Sequence, residues 1–418
     1  MNNSAINHQG YYKYFFILGM LLFSFGLNWS MFLVSLSIII MAASLIVKIE
    51  ITKPFVSIYT KWGYDFKLLF KDPIYLILIF VFLVNLISGL WSEEKPLWIW
   101  FTRMMLPFLF LPMVMIRIGT VPRKWIHGFW LLCISSIFFT SIWILFDYIQ
   151  HSQEINEFIM KGGAVKTPIS HIRYSIIIAC SILILMQWIV KNEVFEKKFE
   201  RWIYIFLFIY FIIFIHIISV KSGIIGLYIG LFIYWTFYLL KNKKMIQWLA
   251  MIATLFILSI AAYNLVPSLK SKVAYTVWQY SEWQKGKWLY YSDIERLVSI
   301  QMGLEIVKNF PISGSGIGDI EQVTKDTYYE CLNHKEIKYA HNQFIFSWAA
   351  CGLLGLLSIF GLVYIAFRKS NWNFPLVLGI QGILISSFLW EMTLETQMGT
   401  CIYLYFTITS YLWMKGED

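Results

Sequence analysis

Residues 241–265 read KNKKMIQWLAMIATLFILSIAAYNL. A basic run, Lys241-Asn242-Lys243-Lys244, is followed by 21 residues, Met245 to Leu265, without a single charge. A helix of that length rises about 30 Å, the depth of a bilayer's hydrocarbon core. Segments of the same kind precede it at 12–27, 30–47, 73–90, 98–116, 126–148, 170–190, 202–218 and 223–240, and follow it at 343–367, 374–390 and 399–414. The pattern predicts an all-α polytopic membrane protein with about 12 transmembrane helices and one large, partly helical periplasmic loop. Residues 1–265 form the membrane domain with spans 1–9, 266–342 the loop, and 343–418 the membrane domain with spans 10–12.

Composition points the same way. Of 418 residues, 59% are hydrophobic and 14% charged, against roughly 25% charged in a soluble domain. Mean hydropathy is +0.64. These values exclude a soluble enzyme, a disordered chain and a disulfide scaffold. Lys13 precedes an apolar run from Tyr14 to Leu27 but no small-x-small cleavage site follows, so this segment reads as an uncleaved first span.

Basic residues crowd alternate connections: Lys48, Lys53, Lys61, Lys67 and Lys71; Arg117, Arg123 and Lys124; Lys191, Lys197, Lys198 and Arg201; Lys241, Lys243 and Lys244; Arg368 and Lys369. The short connections on the other side hold only Lys95, Lys161, Lys166 and Lys221. By the positive-inside rule both termini are cytoplasmic and the loop lies outside. The net charge of +10 therefore reflects topology and anionic membrane lipids, not nucleic acid. Cys133, Cys180, Cys351 and Cys401 fall in spans and Cys331 in the loop, which suggests neither a disulfide nor a metal site. No cofactor is expected.

The loop is too long for a passive connector. Ser292-Asp293-Ile294-Glu295 resembles a capping box. Ile294, Leu297, Val298, Ile300, Leu304, Ile306 and Val307 give the following stretch a mostly one-sided apolar stripe. It predicts an amphipathic helix of about 17 residues, ending near Asn309 before Pro311. Gly314-Ser315-Gly316-Ile317-Gly318-Asp319 reads as a flexible turn in preference to an anion cradle, and a second helix is expected from about Ile320 to Leu332.

The loop closes with Ala340-His341-Asn342-Gln343. His341 sits at the water–lipid boundary as a candidate general base, or as a plain interfacial histidine. Arg173, Lys221 and Arg296 are candidate ligands for a pyrophosphate leaving group, with snorkelling to lipid headgroups as the other reading. Arg103 reads as an interfacial anchor. Glu391 and Glu395 stand at i, i+4 and are expected to share a helical face. His171 and Asn342 join Glu391 and Asp319 as possible supporting groups, while His216 reads as packing.

These features, in this order, resemble the Wzy_C-type, GT-C-like O-antigen ligase and O-antigen polymerase-like membrane proteins. The resemblance rests on Arg296; Pro311-Ile312-Ser313-Gly314-Ser315-Gly316-Ile317-Gly318-Asp319; Tyr328 and Tyr329; Ala340-His341-Asn342-Gln343; Cys351-Gly352-Leu353-Leu354-Gly355-Leu356; and Glu391 to Gly399. It covers the C-terminal half closely and the first half only in span pattern. It implies an inverting, metal-independent glycosyltransferase of lipopolysaccharide biosynthesis, multi-pass in the bacterial inner membrane with its active site periplasmic. The donor would be an undecaprenyl-diphosphate-linked glycan and the acceptor a sugar hydroxyl of the lipid A core or another glycan. It further implies His341 as base or acceptor-orienting group, and Arg296 in diphosphate binding. The family's second arginine lies in a Ser-Arg turn, where this chain has Ser219-Val220-Lys221-Ser222-Gly223. Lysine keeps the charge but loses the planar fork. Polymerase and protein glycosyltransferase share this architecture. A polysaccharide transporter or flippase is the rival of another class, against which stand the absence of an internal repeat and the clustering of candidate charges at one boundary.

Overall fold

A computed structural model of the chain describes residues 12–49, 56–58, 67–194, 197–285, 292–369 and 373–416. Lys53 and Lys61 of the basic tally lie outside the described residues. Every predicted apolar segment contains a helix. In chain order these are α1 (Tyr12–Gly26), α2 (Met31–Ile46), α3 (Pro73–Ser88), α4 (Lys95–Ile118), α5 (Arg123–Gln150), a short α6 (Ser152–Met160), α7 (His171–Lys191), α8 (Lys198–Ile218), α9 (Lys221–Lys241) and α10 (Met245–Leu265). The loop contributes α11 (Pro267–Gln284), α12 (Ser292–Asn309) and α13 (Ile320–Leu332). The chain closes with α14 (Gln343–Lys369), α15 (Pro375–Ser386) and α16 (Gln397–Lys415). A small antiparallel hairpin pairs Val47–Ile49 with Val56–Ile58.

Among the described residues, seven helices are long and apolar enough to cross a membrane: α4, α5, α7, α8, α9, α10 and α14. Helices α1, α2 and α3, and α15 with its 3-10 extension to Leu389, are apolar but shorter. The chain is thus a helical multi-pass membrane protein.

Helices α7 and α16 form the axis of the bundle. Every residue from Arg173 to Trp188 and from Met398 to Trp413 is buried. Polar side chains on both find partners within the bundle, as spans away from water require. Trp130 Nε1 donates to Thr409 Oγ1 at 2.9 Å, and Gln381 Nε2 to Thr407 Oγ1 at 3.2 Å. Helix α10 has no buried residue at all, as its all-round apolar sequence requires of a helix surrounded by hydrocarbon.

The connections after α3, α5, α8 and α15 meet the loop at one end of the bundle. At the other end Asp72 accepts from Lys415 at 2.6 Å, with Lys369 at 3.9 Å.

The tenth segment is a candidate span as expected, but α14 breaks at Gly352, whose φ of +67° and ψ of −156° are not helical. Two expectations are corrected. The glycine turn is not a flexible reversal but fills that break. The N–H of Ser315 donates to Ala349 O at 2.8 Å, that of Gly316 to Ala350 O at 3.0 Å, and that of Leu353 back to Ile312 O at 3.0 Å. A Cβ on Gly314 would lie 2.3 Å from Gly352 N, so only glycines allow the two backbones so close. With those N–H groups engaged, the turn is not an anion cradle. Finally, the stripe on α12 is rotated from the one read in the sequence. Ile294, Val298, Met302 and Ile306 are buried, while Leu297 and Leu304 are exposed.

Helices α6 and α11, which have no counterpart in the sequence reading, pack on each other beside the N-terminal end of α7.

Candidate functional site

The extents expected for α12 and α13 agree with the structure. Along α12, Ser299 and Gly303 stand one turn apart on the buried face. Two small residues there let the returning segment 333–342 lie close. Gly303 touches Ala340, where a Cβ would come within 2.7 Å of the Ala340 Cβ. Lys338 pairs with Glu295. His341 is thereby held against Ser299.

The hydrogen bonds at Ser299 fix the state of the imidazole. The Ser299 hydroxyl donates to Arg296 O at 2.7 Å. Its single hydrogen is then used, and Oγ can only accept from His341. The His341 backbone N–H reaches it at 3.1 Å and Nδ1 lies 3.2 Å away. Nδ1 therefore carries the proton and Nε2 the lone pair. Burial pulls the His341 imidazole below the usual histidine value; Glu391 and a hydrogen bond to the Tyr339 backbone oppose this, while Arg296 and Lys338 add to it. A neutral imidazole with a free Nε2 lone pair is the form a general base needs.

Beside it lies a cleft of about 180 Å³. His171, Lys221, Lys272, Asp293 and Arg296 line it, with the 218–222 turn on one side and Gly162-Gly163 on the other. Lys221 opens α9, where the backbone N–H groups also point toward the cleft end. It pairs with Asp293 Oδ2 at 2.5 Å. Lys272, from α11, donates to Gly163 O at 3.2 Å. Burial first, and then Lys221 and Arg296, pull Lys272 below the usual lysine value, with Asp293 opposing. One carboxylate thus faces several cations in a small, half-enclosed space, an arrangement suited to a dense anion.

Arg296 Nη2 forms an ion pair with Glu391 Oε1 at 2.8 Å, which links the cleft to the segment between α15 and α16. Arg173 is buried under that segment, with Nη1 3.4 Å from Thr393 Oγ1 and Nη2 3.4 Å from Met392 O. It lies behind the cleft wall and braces Glu391's neighbours.

The structure brings together His341, Arg296, Lys221, His171 and Glu391, with Arg173 just behind. It separates others. Asp319 accepts from the backbone N–H groups of Glu93 at 2.9 Å and Glu94 at 2.8 Å, pinning the start of α4 to the glycine turn. Asn342 caps α14, its Oδ1 accepting from Phe344 N at 3.0 Å and Ile345 N at 3.1 Å. Glu391 and Glu395 do not share a helical face, because the chain from 390 to 396 is not helical. Glu395 instead accepts from Gln343 Nε2 at 2.8 Å, and burial pushes its carboxyl up to about 7 against that hydrogen bond. His216 bonds Ile212 O and Tyr228 within the bundle. Arg103 is exposed on α4, away from the cleft.

Sequence reasoning missed Lys272, Ser299 and Gly303. Lys272 sits among several loop lysines with no pattern to single it out. The signal for Ser299 was its place three residues after Arg296, next to the buried Val298. Among the described residues no group of His, Cys, Asp and Glu side chains is arranged to hold a metal ion.

A broken span is clasped by its own loop, and a histidine stands near a basic cleft at one end of a helical bundle. Residues 206–360 match the family model Wzy_C, described as O-antigen ligase. The match covers just over a third of the chain and includes Lys221, Lys272, Arg296, Ser299 and His341. It identifies an O-antigen ligase-like segment and supports a membrane ligase or polymerase in general. No curated protein matches the chain.

Proposed function

We propose that the protein transfers a glycan from an undecaprenyl-diphosphate carrier to a sugar hydroxyl, that of the lipid A core. The reaction would occur at the periplasmic face of the bacterial inner membrane, with 12 crossings, cytoplasmic termini and no metal. The observation that carries this reading is the placing of a His341 imidazole, oriented by Ser299, next to the Lys221–Lys272–Arg296 cleft.

The chemistry follows from that pairing. The acceptor hydroxyl gives its proton to His341 Nε2 as its oxygen attacks the anomeric carbon. The bond from that carbon to the diphosphate breaks on the opposite face, so configuration inverts. The diphosphate leaves with the electron pair, and the cations of the cleft stabilise its growing charge. Lys221 and Arg296 must partly exchange Asp293 and Glu391 for phosphate oxygens. Those carboxylates keep the cations placed before the donor arrives. Arg173 holds the 391–396 segment, and through it Glu391, in register with Arg296. The donor is already activated, so no nucleotide is needed.

The test is a deletion strain complemented with wild type or with His341→Ala, in which core-attached polysaccharide and the undecaprenyl-linked pool are profiled together. A ligase leaves long lipid-linked polymer unattached. Single lipid-linked repeats, with only single units attached, would mean polymerase instead. No change in either pool would overturn both.

A further inference from the structure

A second depression lies on the far side of the 339–341 segment. Between the first turns of α4 and helix α13 runs an open groove of about 660 Å³, within the range of small-molecule sites. Its two walls differ in kind. Trp100, 41% exposed, and Leu97 present apolar surface on the α4 side. On the α13 side Glu321, Gln322 and Lys325 present carboxylate, amide and ammonium. Tyr339 closes the end toward His341, two residues away.

The groove is preformed. Trp100 stands edge-on to Phe101 at 4.9 Å between centroids, and Tyr339 edge-on to Phe346 at 5.6 Å. Tyr339 donates to Glu321 Oε2 at 3.3 Å, and Lys325 pairs with Glu321 Oε1 at 2.6 Å. Asp319 fixes α4 to the start of α13. Among the described residues lining the groove the one cation, Lys325, is paired with Glu321, and Glu94 adds a further negative charge, which disfavours a phosphate or an acidic headgroup. An aromatic side chain on one wall and hydrogen-bonding side chains on the other fit a pyranose, which has C–H faces for the ring and equatorial hydroxyls for the Glu321 carboxylate and the Gln322 amide, whose Nε2 also donates to Asp326 Oδ1 at 2.9 Å.

We infer that this groove binds a neutral stretch of the saccharide chain, holding the sugars adjacent to the one that reacts beside His341. The inference rests on the transfer reading and deepens it. The chain bound is that of the acceptor or that of the donor, and the two are separable by experiment.

The full-length protein in lipid nanodiscs is titrated, by saturation-transfer NMR, with two probes. One is the core oligosaccharide released from the host's lipopolysaccharide by mild acid. The other is the oligosaccharide released likewise from its undecaprenyl-linked pool. Inorganic pyrophosphate, titrated separately, reports on the basic cleft and on correct folding. Trp100→Ala and Gln322→Ala are expected to weaken one probe about tenfold, as loss of a stacking plane or a hydrogen bond would, with pyrophosphate binding unchanged. The probe affected names the source. Wild-type binding of both probes in both variants would overturn the inference. So would no saccharide binding by the wild-type protein, or loss of a co-purifying phospholipid as the only effect of Trp100→Ala. His341→Ala is expected to bind both probes normally. If that variant still transfers glycan while the groove variants lose binding, the mechanism fails and the groove stands.

Discussion

Ser299 Oγ lies 3.2 Å from Nδ1 of His341 and accepts from it, because its own hydrogen is held by Arg296 O. The serine therefore acts on the far nitrogen: it fixes Nε2 as the basic one. Arg296 supplies the carbonyl that orients the serine and the guanidinium that meets Glu391, so base and cleft are positioned by one turn of α12.

His341→Ala should lower transfer by about 100-fold or more, the usual worth of a general base. Ser299→Ala should have a smaller effect, about tenfold, confined to kcat with KM for the acceptor near its wild-type value. Steady-state kinetics on purified donor and acceptor separate these outcomes. Equal kcat for Ser299→Ala and wild type would remove the tautomer argument.

The pH profile has a defined sign. Because burial holds the His341 imidazole below its usual value, the base stays neutral to lower pH than a free histidine. The acid limb of kcat/KM should then lie below about pH 6.5. Glu391 raises the His341 value, so Glu391→Gln should move the limb to still lower pH. A limb displaced upward by Glu391→Gln would contradict the arrangement.

Cations that line the cleft should differ from one that does not. Arg296→Ala and Lys272→Ala should each weaken donor use by about 10- to 100-fold, the range of one charged hydrogen bond. Arg103→Ala, at an exposed site on α4, should leave it unchanged. Lys221→Arg should be tolerated better than Lys221→Ala. A donor titration in which Arg103→Ala and Lys272→Ala behave alike would disconnect the cleft from the diphosphate.

Gly352→Ala tests the clasp. A methyl there would lie 2.0 Å from Ile312 O, at a φ of +67°, so strain and clash should cost about 2 kcal/mol or more. Thermal unfolding in detergent should show a lowered Tm and loss of transfer together. Gly361→Ala, facing only the Ile77 side chain, is the milder control.

How much of this was legible in the sequence depends on the range of each interaction. Apolar runs report local burial, so each predicted segment proved helical, and α12 ended at Asn309 as the nearby proline required. The face of α12 was misread because Leu297 and Leu304 are as apolar as Val298 and Met302. The neighbours that arrive from elsewhere, Tyr328 and Leu332 of α13 and Ile337 of the returning segment among them, decide which of them is covered. Arg296, Lys221 and His341 stood out as ionisable groups at a membrane boundary. Lys272 did not, since its meaning comes from Gly163, 109 positions earlier in the chain. Helices α6 and α11 carry weak patterns of their own and depend on each other for cover. The glycine turn looked mobile because its partners, Ala349 and Ala350, lie across α13 and the 333–342 segment.

That clasp also imposes an order on biogenesis. The carbonyls that receive Ser315 and Gly316 belong to α14, which leaves the ribosome after the loop that needs them. The 391–396 segment that meets Arg296 and Arg173 is made later still. Lys221 with Asp293 and Lys272 with Gly163 can meet before then, since all four precede α14. The Arg296–Glu391 pair forms only when the segment before α16 has been made, so chains stalled or truncated before it lack that tie.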